Sequence, residues 1–92
     1  MSAQPIVDYI LTDHAVRELR RRGIAKEDVD GVLKDPAQRL GVRRGRVVLQ
    51  SKITEGDTEY VLRVFVDIDR SPAEVVTAYR TSKVAKYWRN EP

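Results

Sequence analysis

The hydrophobic period of this chain changes once, at Asp35-Pro36, and that change constrains the fold more than any other feature. Before it, apolar residues recur at helical spacing; after it, they alternate. Thr12 or Asp13 can cap a first helix running to about Arg22, and Gly23 is a natural C-terminal stop. The inward stripe is Ala15, Val16 and Leu19, continued by Ile24 after the glycine. A second helix is predicted over residues 26–34. Glu27 and Asp28 suit its first turn, and Val29, Val32 and Leu33 share one side. Pro36 ends it, because the residue before a proline is pushed out of the helical region.

The alternating half reads as strands. Residues 37–42 suit a short edge strand and residues 46–53 a longer one. A Glu55-Gly56-Asp57 turn then leads into Thr58–Asp67. There Tyr60, Leu62, Val64 and Val66 point one way, and Val61, Arg63, Phe65 and Asp67 the other. Asp69 to Pro72 is a second turn and Ala73–Arg80 the last strand, after which Ser82 can cap a closing helix carrying Val84, Tyr87 and Trp88. Residues 1–11 are an irregular or short extended lead-in, with Ile6, Ile10 and Leu11 available to a core. The expected architecture is α+β, one domain over residues 1–92. Two N-terminal helices pack on a three- to four-stranded antiparallel sheet, and a short C-terminal helix follows.

Composition narrows the chemistry. The chain has no cysteine, so disulfides and thiolate metal sites are excluded, and a lone His14 argues against a zinc or iron centre. No P-loop, glycine-rich dinucleotide turn, paired metal-spaced carboxylates or serine elbow is present, and no cofactor is expected. No apolar run approaches a membrane span, and the N-terminus lacks the basic-then-apolar order of a signal peptide, so a cytoplasmic protein is expected. The net charge is +3, unevenly placed: residues 1–35 hold 6 Lys/Arg against 7 Asp/Glu, residues 36–92 hold 11 against 7. Arginine outnumbers lysine 12 to 5. The arginine fork binds phosphate through paired hydrogen bonds, although a GC-rich genome enriches arginine equally well.

Several groups can carry chemistry. His14, Arg17 and Arg21 lie along one side of the first helix, with Glu18 at i+4 from the histidine. A histidine there can exchange a proton with an RNA 2′-hydroxyl, or simply pack in the first turn. Arg20, Arg21 and Arg22 span too wide an arc for one ligand, and complement the helix dipole. Arg39, Arg43, Arg44 and Arg46 gather at a strand junction, either as an approach surface for nucleic acid or as charges that keep an edge strand from pairing.

Arg63 sits mid-strand, where rigid backbone makes a phosphate clamp; pairing with Asp67 or a helix carboxylate is the plainer reading. Arg80 lies on a neighbouring strand with comparable orientation, so the two can converge. Tyr79, Arg80, Ser82 and Lys83 then complete a set able to cleave RNA without metal, by supplying a base, an acid and cations. Tyr87 and Trp88 can stack a base, or pin the closing helix to the sheet.

The pattern Thr12-x-His14-Ala15, Arg22-Gly23-Ile24, Val32-Leu33-x-x-Pro36, Leu62-Arg63-Val64, Val76-x-x-Tyr79-Arg80-Thr81-Ser82-Lys83 and Tyr87-Trp88 resembles a family of small bacterial proteins. These carry a domain-of-unknown-function label and are related to the BrnT and RelE toxins. The resemblance implies a RelE-like fold and the ribonuclease component of a toxin–antitoxin pair, held inactive by an antitoxin-like protein. It carries over to His14, Arg22, Arg63, Tyr79, Arg80 and Lys83. It departs at Glu18, where relatives place an arginine and a carboxylate weakens a phosphate site. The expected catalytic set is therefore His14, Arg63, Tyr79, Arg80 and Lys83, with Arg22, Arg43, Arg46 and Tyr87 on the RNA and no metal. Three readings follow: an endoribonuclease, a module without catalysis that binds RNA or a protein partner, and a domain that buries its aromatic helix and arginines against an acidic antitoxin-like protein. A homodimer through an edge strand is a further expectation.

Overall fold

Thr12 shows how the chain builds itself from the N-terminus. Its hydroxyl accepts the Ala15 N–H at 3.0 Å, capping a helix, and donates to the Val75 carbonyl at 3.2 Å, tying that helix to a strand. The computed structural model describes residues 3–90, so the first two residues of the lead-in lie outside the described part. The elements are β1 (Tyr9–Leu11), α1 (Asp13–Arg22), α2 (Lys26–Lys34), β2 (Gln38–Arg43), β3 (Arg46–Glu55), β4 (Thr58–Asp67), β5 (Ala73–Thr81) and α3 (Val84–Tyr87). Gly23 closes α1 at φ 65°, a left-handed position that explains the glycine.

The strands form one five-stranded sheet in the order β1-β5-β4-β3-β2. β2 to β5 are an antiparallel meander, but β1 runs parallel to β5, with Tyr9 beside Ala73 and Leu11 beside Val75. The sheet is therefore mixed and has five strands, where the sequence predicted three or four antiparallel ones. Three residues are too few to show an alternating pattern, and β1 is defined by its pairing with β5. Ser82 does not cap α3. Lys83 holds that position without a side-chain cap, and the Thr81 hydroxyl accepts the Lys83 N–H at 3.1 Å.

Alternation then divides the sheet into two faces. Leu49, Leu62, Val64, Val66, Val75 and Ala78 face α1 and α2, and with Ala15, Leu19, Val29, Val32 and Leu33 they make the core. The opposite face carries Val48, Gln50, Arg63 and Phe65, and the short α3 segment packs on it. One extra residue of β5, Val76, opposite the Phe65/Val66 step of β4 lets β5 keep both Val75 and Ala78 in the core.

Tyr9 fastens β1 to α2, its hydroxyl donating to Asp30 Oδ1 at 2.7 Å. Burial, then the Asp30 hydrogen bond and charge, raise its pKa from 10.0 to about 12. The fold thus favours the protonated phenol. That contribution is complete below the unfolded value and disappears as pH rises through 10 towards 12. Urea denaturation across this range should show the wild type losing stability more steeply than Tyr9→Phe. Parallel pH profiles would refute it.

Candidate nucleic-acid interface

The face left free by α1 and α2 carries one unbroken polar row across four strands. Gln38 opposes Gln50, Gln50 opposes Arg63, and Arg63 opposes Tyr79. Each link is a hydrogen bond: Gln50 Nε2 to Gln38 Oε1 at 2.8 Å, Arg63 Nε to Gln50 Oε1 at 2.8 Å, and Arg63 Nη1 to the Tyr79 hydroxyl at 2.6 Å. Gln50 is wholly buried and also donates to the Tyr87 carbonyl at 3.0 Å. Gln38 continues the tie, donating to the Arg89 carbonyl and accepting the Arg89 N–H at 3.1 Å. The C-terminal segment is therefore strapped to the sheet by backbone hydrogen bonds from two glutamines.

Arg63 lies under that strap. Its guanidinium carbon is 4.6 Å from the Tyr87 ring centre, 5.4 Å from Phe65 and 5.7 Å from Tyr79. Phe65 and Tyr79 are themselves stacked at 5.8 Å, with Tyr87 edge-on to Tyr79 at 6.2 Å. Among the described residues no carboxylate pairs with Arg63. Asp67, four residues along the strand, is held instead by Arg46 through contacts of 2.6 and 3.2 Å. The cation is thus fixed by neutral partners and keeps its charge for something else. Lys52 stands 4.6 Å over the Trp88 ring and Lys86 5.2 Å from that of Tyr87, adding positive charge. The Lys86 ammonium is the largest cause of a lowered Tyr87 pKa; the Tyr79 hydroxyl and Arg63 act in the same sense, against partial desolvation.

The predicted site residues do not all meet here. Arg63, Tyr79 and Tyr87 are together. Arg80 does not converge with Arg63: it is opposite Leu62 and so projects to the helix-covered face. There it reaches the Gly23 carbonyl at 3.2 Å and Glu55 at 3.3 Å, near the Tyr60 ring. Tyr79 and Arg80 are consecutive in a strand, and a period of two sends them apart. His14 is exposed in the first turn of α1, across the sheet from Arg63.

Arg22 bonds the Thr77 hydroxyl at 3.2 Å, the Ala78 carbonyl at 2.8 Å and Glu18 at 2.9 Å, closing the β5 edge beyond the end of β1. Glu18, the departure from the resembled pattern, is the anchor of this knot. It also holds Arg21 at 2.8 Å, and that hydrogen bond lowers its pKa. Arg46 is bound to Asp67 and Arg43 is exposed at the β2–β3 turn, about 13 Å along the strand from Arg63. Lys83 is exposed just before α3.

A family model with the description "Domain of unknown function (DUF4258)" matches residues 11–80. The chain belongs to this family. No curated protein and no solved structure matches it. The DUF4258 match spans Gln38, Gln50, Arg63 and Tyr79, while α3 with Lys86, Tyr87 and Trp88 lies beyond it. Among the described residues of this DUF4258 protein no helix is long and apolar enough to cross a membrane.

Sequence reasoning missed Gln38, Gln50, Lys52, Phe65 and Lys86. Gln50 had a readable signal: one uncharged polar side chain after Val47-Val48-Leu49 must find hydrogen-bond partners when buried.

Proposed function

We propose that this DUF4258 protein is a metal-independent endoribonuclease of toxin type, acting on single-stranded RNA laid across the free sheet face. The observation that carries the reading is Arg63: held by Gln50 and Tyr79, ringed by three aromatic side chains and without a carboxylate partner among the described residues. A guanidinium so fixed suits a phosphate, and the rings beside it suit the adjoining bases. In the proposed reaction the 2′-oxygen attacks the neighbouring phosphorus and the 5′-oxygen leaves, giving a cyclic phosphate and a free 5′-hydroxyl. Tyr87, with its pKa held down beside Lys86, is the proton carrier at this site, while Arg63 and the nearby lysines meet the negative charge that builds on phosphorus. The similarity to BrnT and RelE-type toxins, and with it an antitoxin-like partner, rests on the sequence resemblance and belongs to the same proposal.

A second reading, an RNA-binding module without catalysis, is favoured by one feature. Arg63 and Tyr79 already satisfy each other at 2.6 Å, so the Tyr79 hydroxyl is occupied by a structural bond.

The test is cleavage of a single-stranded RNA in the presence of a metal chelator. Wild type and Arg80→Ala should both cut it, and Tyr87→Phe should lose about 100-fold or more in rate. Binding without cleavage by the wild type would select the non-catalytic reading. Loss of cleavage in Arg80→Ala with Tyr87→Phe unaffected would move the site to the other face.

A further inference from the structure

β1 ends the sheet, and among the described residues no strand pairs with its outer edge. A cleft of about 490 Å³ is lined by Tyr9, Ile10 and Leu11 together with Val16 and Lys26. Consecutive strand residues point to opposite faces, so a cleft touched by all three must run along the strand edge. It shares Leu11, Val16 and Lys26 with a second hollow of about 300 Å³ that continues over Leu19 and Ile24 and past Arg20. The result is one apolar furrow, walled by α1 and β1, opening beside the outer edge of β1. Ile10, which lines it, is 48% exposed, and Val7, two residues before β1, is 72% exposed.

The charge around the furrow points to its occupant. Arg20 and Lys26 are the charged residues that line the two hollows, and neither forms a salt bridge among the described residues. No described carboxylate lines either hollow: Asp8 and Asp13 flank the two ends of β1, Asp30 is taken by Lys34 at 2.9 Å and by the Tyr9 hydroxyl, and Glu27 stands beside it at the far end. An edge that offers main-chain hydrogen bonds, apolar pockets and unpaired cations fits an extended segment in which apolar residues alternate with Asp or Glu. A second copy of this chain fits less well: its own β1 edge would bring the same cations to the interface.

We propose that the β1 edge and its furrow receive an acidic, apolar-alternating segment of a partner protein as a sixth strand. The segment's apolar side chains would enter between Leu11, Val16 and Ile24, with its carboxylates on Arg20 and Lys26. This surface lies at the opposite edge of the sheet from β2, and does not depend on the RNA reading of the free face.

The experiment is selection of a display library of random peptides on the purified chain, then titration of the enriched peptides into the isotope-labelled protein. Enriched sequences should alternate Leu, Ile or Val with Asp or Glu, and should shift the amides of Tyr9–Leu11 and Val16. The Arg20→Glu/Lys26→Glu double variant should weaken binding about tenfold or more, a loss of roughly 1.4 kcal/mol. Ile10→Lys, at an exposed position, should weaken it as well while leaving the remaining amide spectrum unchanged. The proposal is overturned by no enrichment, by enriched peptides without carboxylates, or by shifts confined to the β3–β4 face. Self-association of the wild type in sedimentation that Ile10→Lys abolishes would overturn it too, by assigning the furrow to a second copy.

Discussion

Arg63→Lys is expected to lower RNA cleavage by about 100-fold while leaving the fold intact, a loss of the size seen when one preorganised donor is taken from a site that stabilises developing charge. The substitution keeps the positive charge and removes the geometry. A lysine offers one rotating ammonium where arginine offers a planar fork, and the fork here is set on both sides, Nε by Gln50 and Nη1 by Tyr79. The three surrounding rings hold the guanidinium plane in place and would hold an ammonium less well. Single-turnover cleavage and equilibrium binding to the same RNA, at several salt concentrations, separate the two properties. Arg63→Lys should bind with a salt slope near that of the wild type, because the charge remains. Arg63→Gln should lose about one unit of that slope. Wild-type cleavage by Arg63→Lys would remove Arg63 from the chemistry.

Much of this arrangement was legible in the residues. The 26–34 helix, the Gly23 stop and the Thr58–Asp67 strand follow from periodicity and from the end signals of helices, and all three are present. The two faces of β4 also followed, since alternation alone separates Arg63 from Leu62. Register did not follow. Whether Arg63 meets Tyr79 or Arg80 differs by one residue of β5, and one residue exchanges the faces of a strand. The choice is made by Val75 and Ala78, both buried against the helices and three apart, which requires the irregularity at Phe65/Val66. Nothing in a run such as Glu74-Val75-Val76-Thr77 marks where that step falls. β1 was hidden for a different reason: it is a strand through its partner, and three residues carry no period of their own. The role of Glu18 was equally invisible, since a carboxylate beside a proposed phosphate site reads as a defect until its partners Arg21 and Arg22 are seen.

Gln50→Leu should cost about 3 kcal/mol and release the C-terminal segment from the sheet before the rest unfolds. Leucine fills nearly the same space, so little of the cost comes from a cavity. It comes from the groups left behind: the Arg63 Nε, the Tyr87 carbonyl and the Gln38 amide each lose a partner, in a place where Gln50 itself has no exposure to water. An unmet buried group costs about 1–3 kcal/mol, more when charged, and partial access to water reduces the sum. The other ties of the strap that α3 forms lie near the surface: four helical residues, none of them buried, the Gln38–Arg89 backbone contacts, and the contacts of Tyr87 with Arg63 and Tyr79 and of Trp88 with Lys52. Local opening should therefore precede global unfolding. Trp88 is the only tryptophan and follows α3 directly, so its fluorescence reports the strap, while far-ultraviolet circular dichroism reports the sheet and the longer helices. In Gln50→Leu the two denaturant curves should separate, the Trp88 signal changing first; in the wild type they should lie closer together. Coincident curves with a stability within about 0.5 kcal/mol of wild type would mean that the row is decoration on a strap held by something else. Separated curves would give the free face a definite construction: a buried glutamine that orients the guanidinium with its oxygen and holds down the covering segment with its nitrogen.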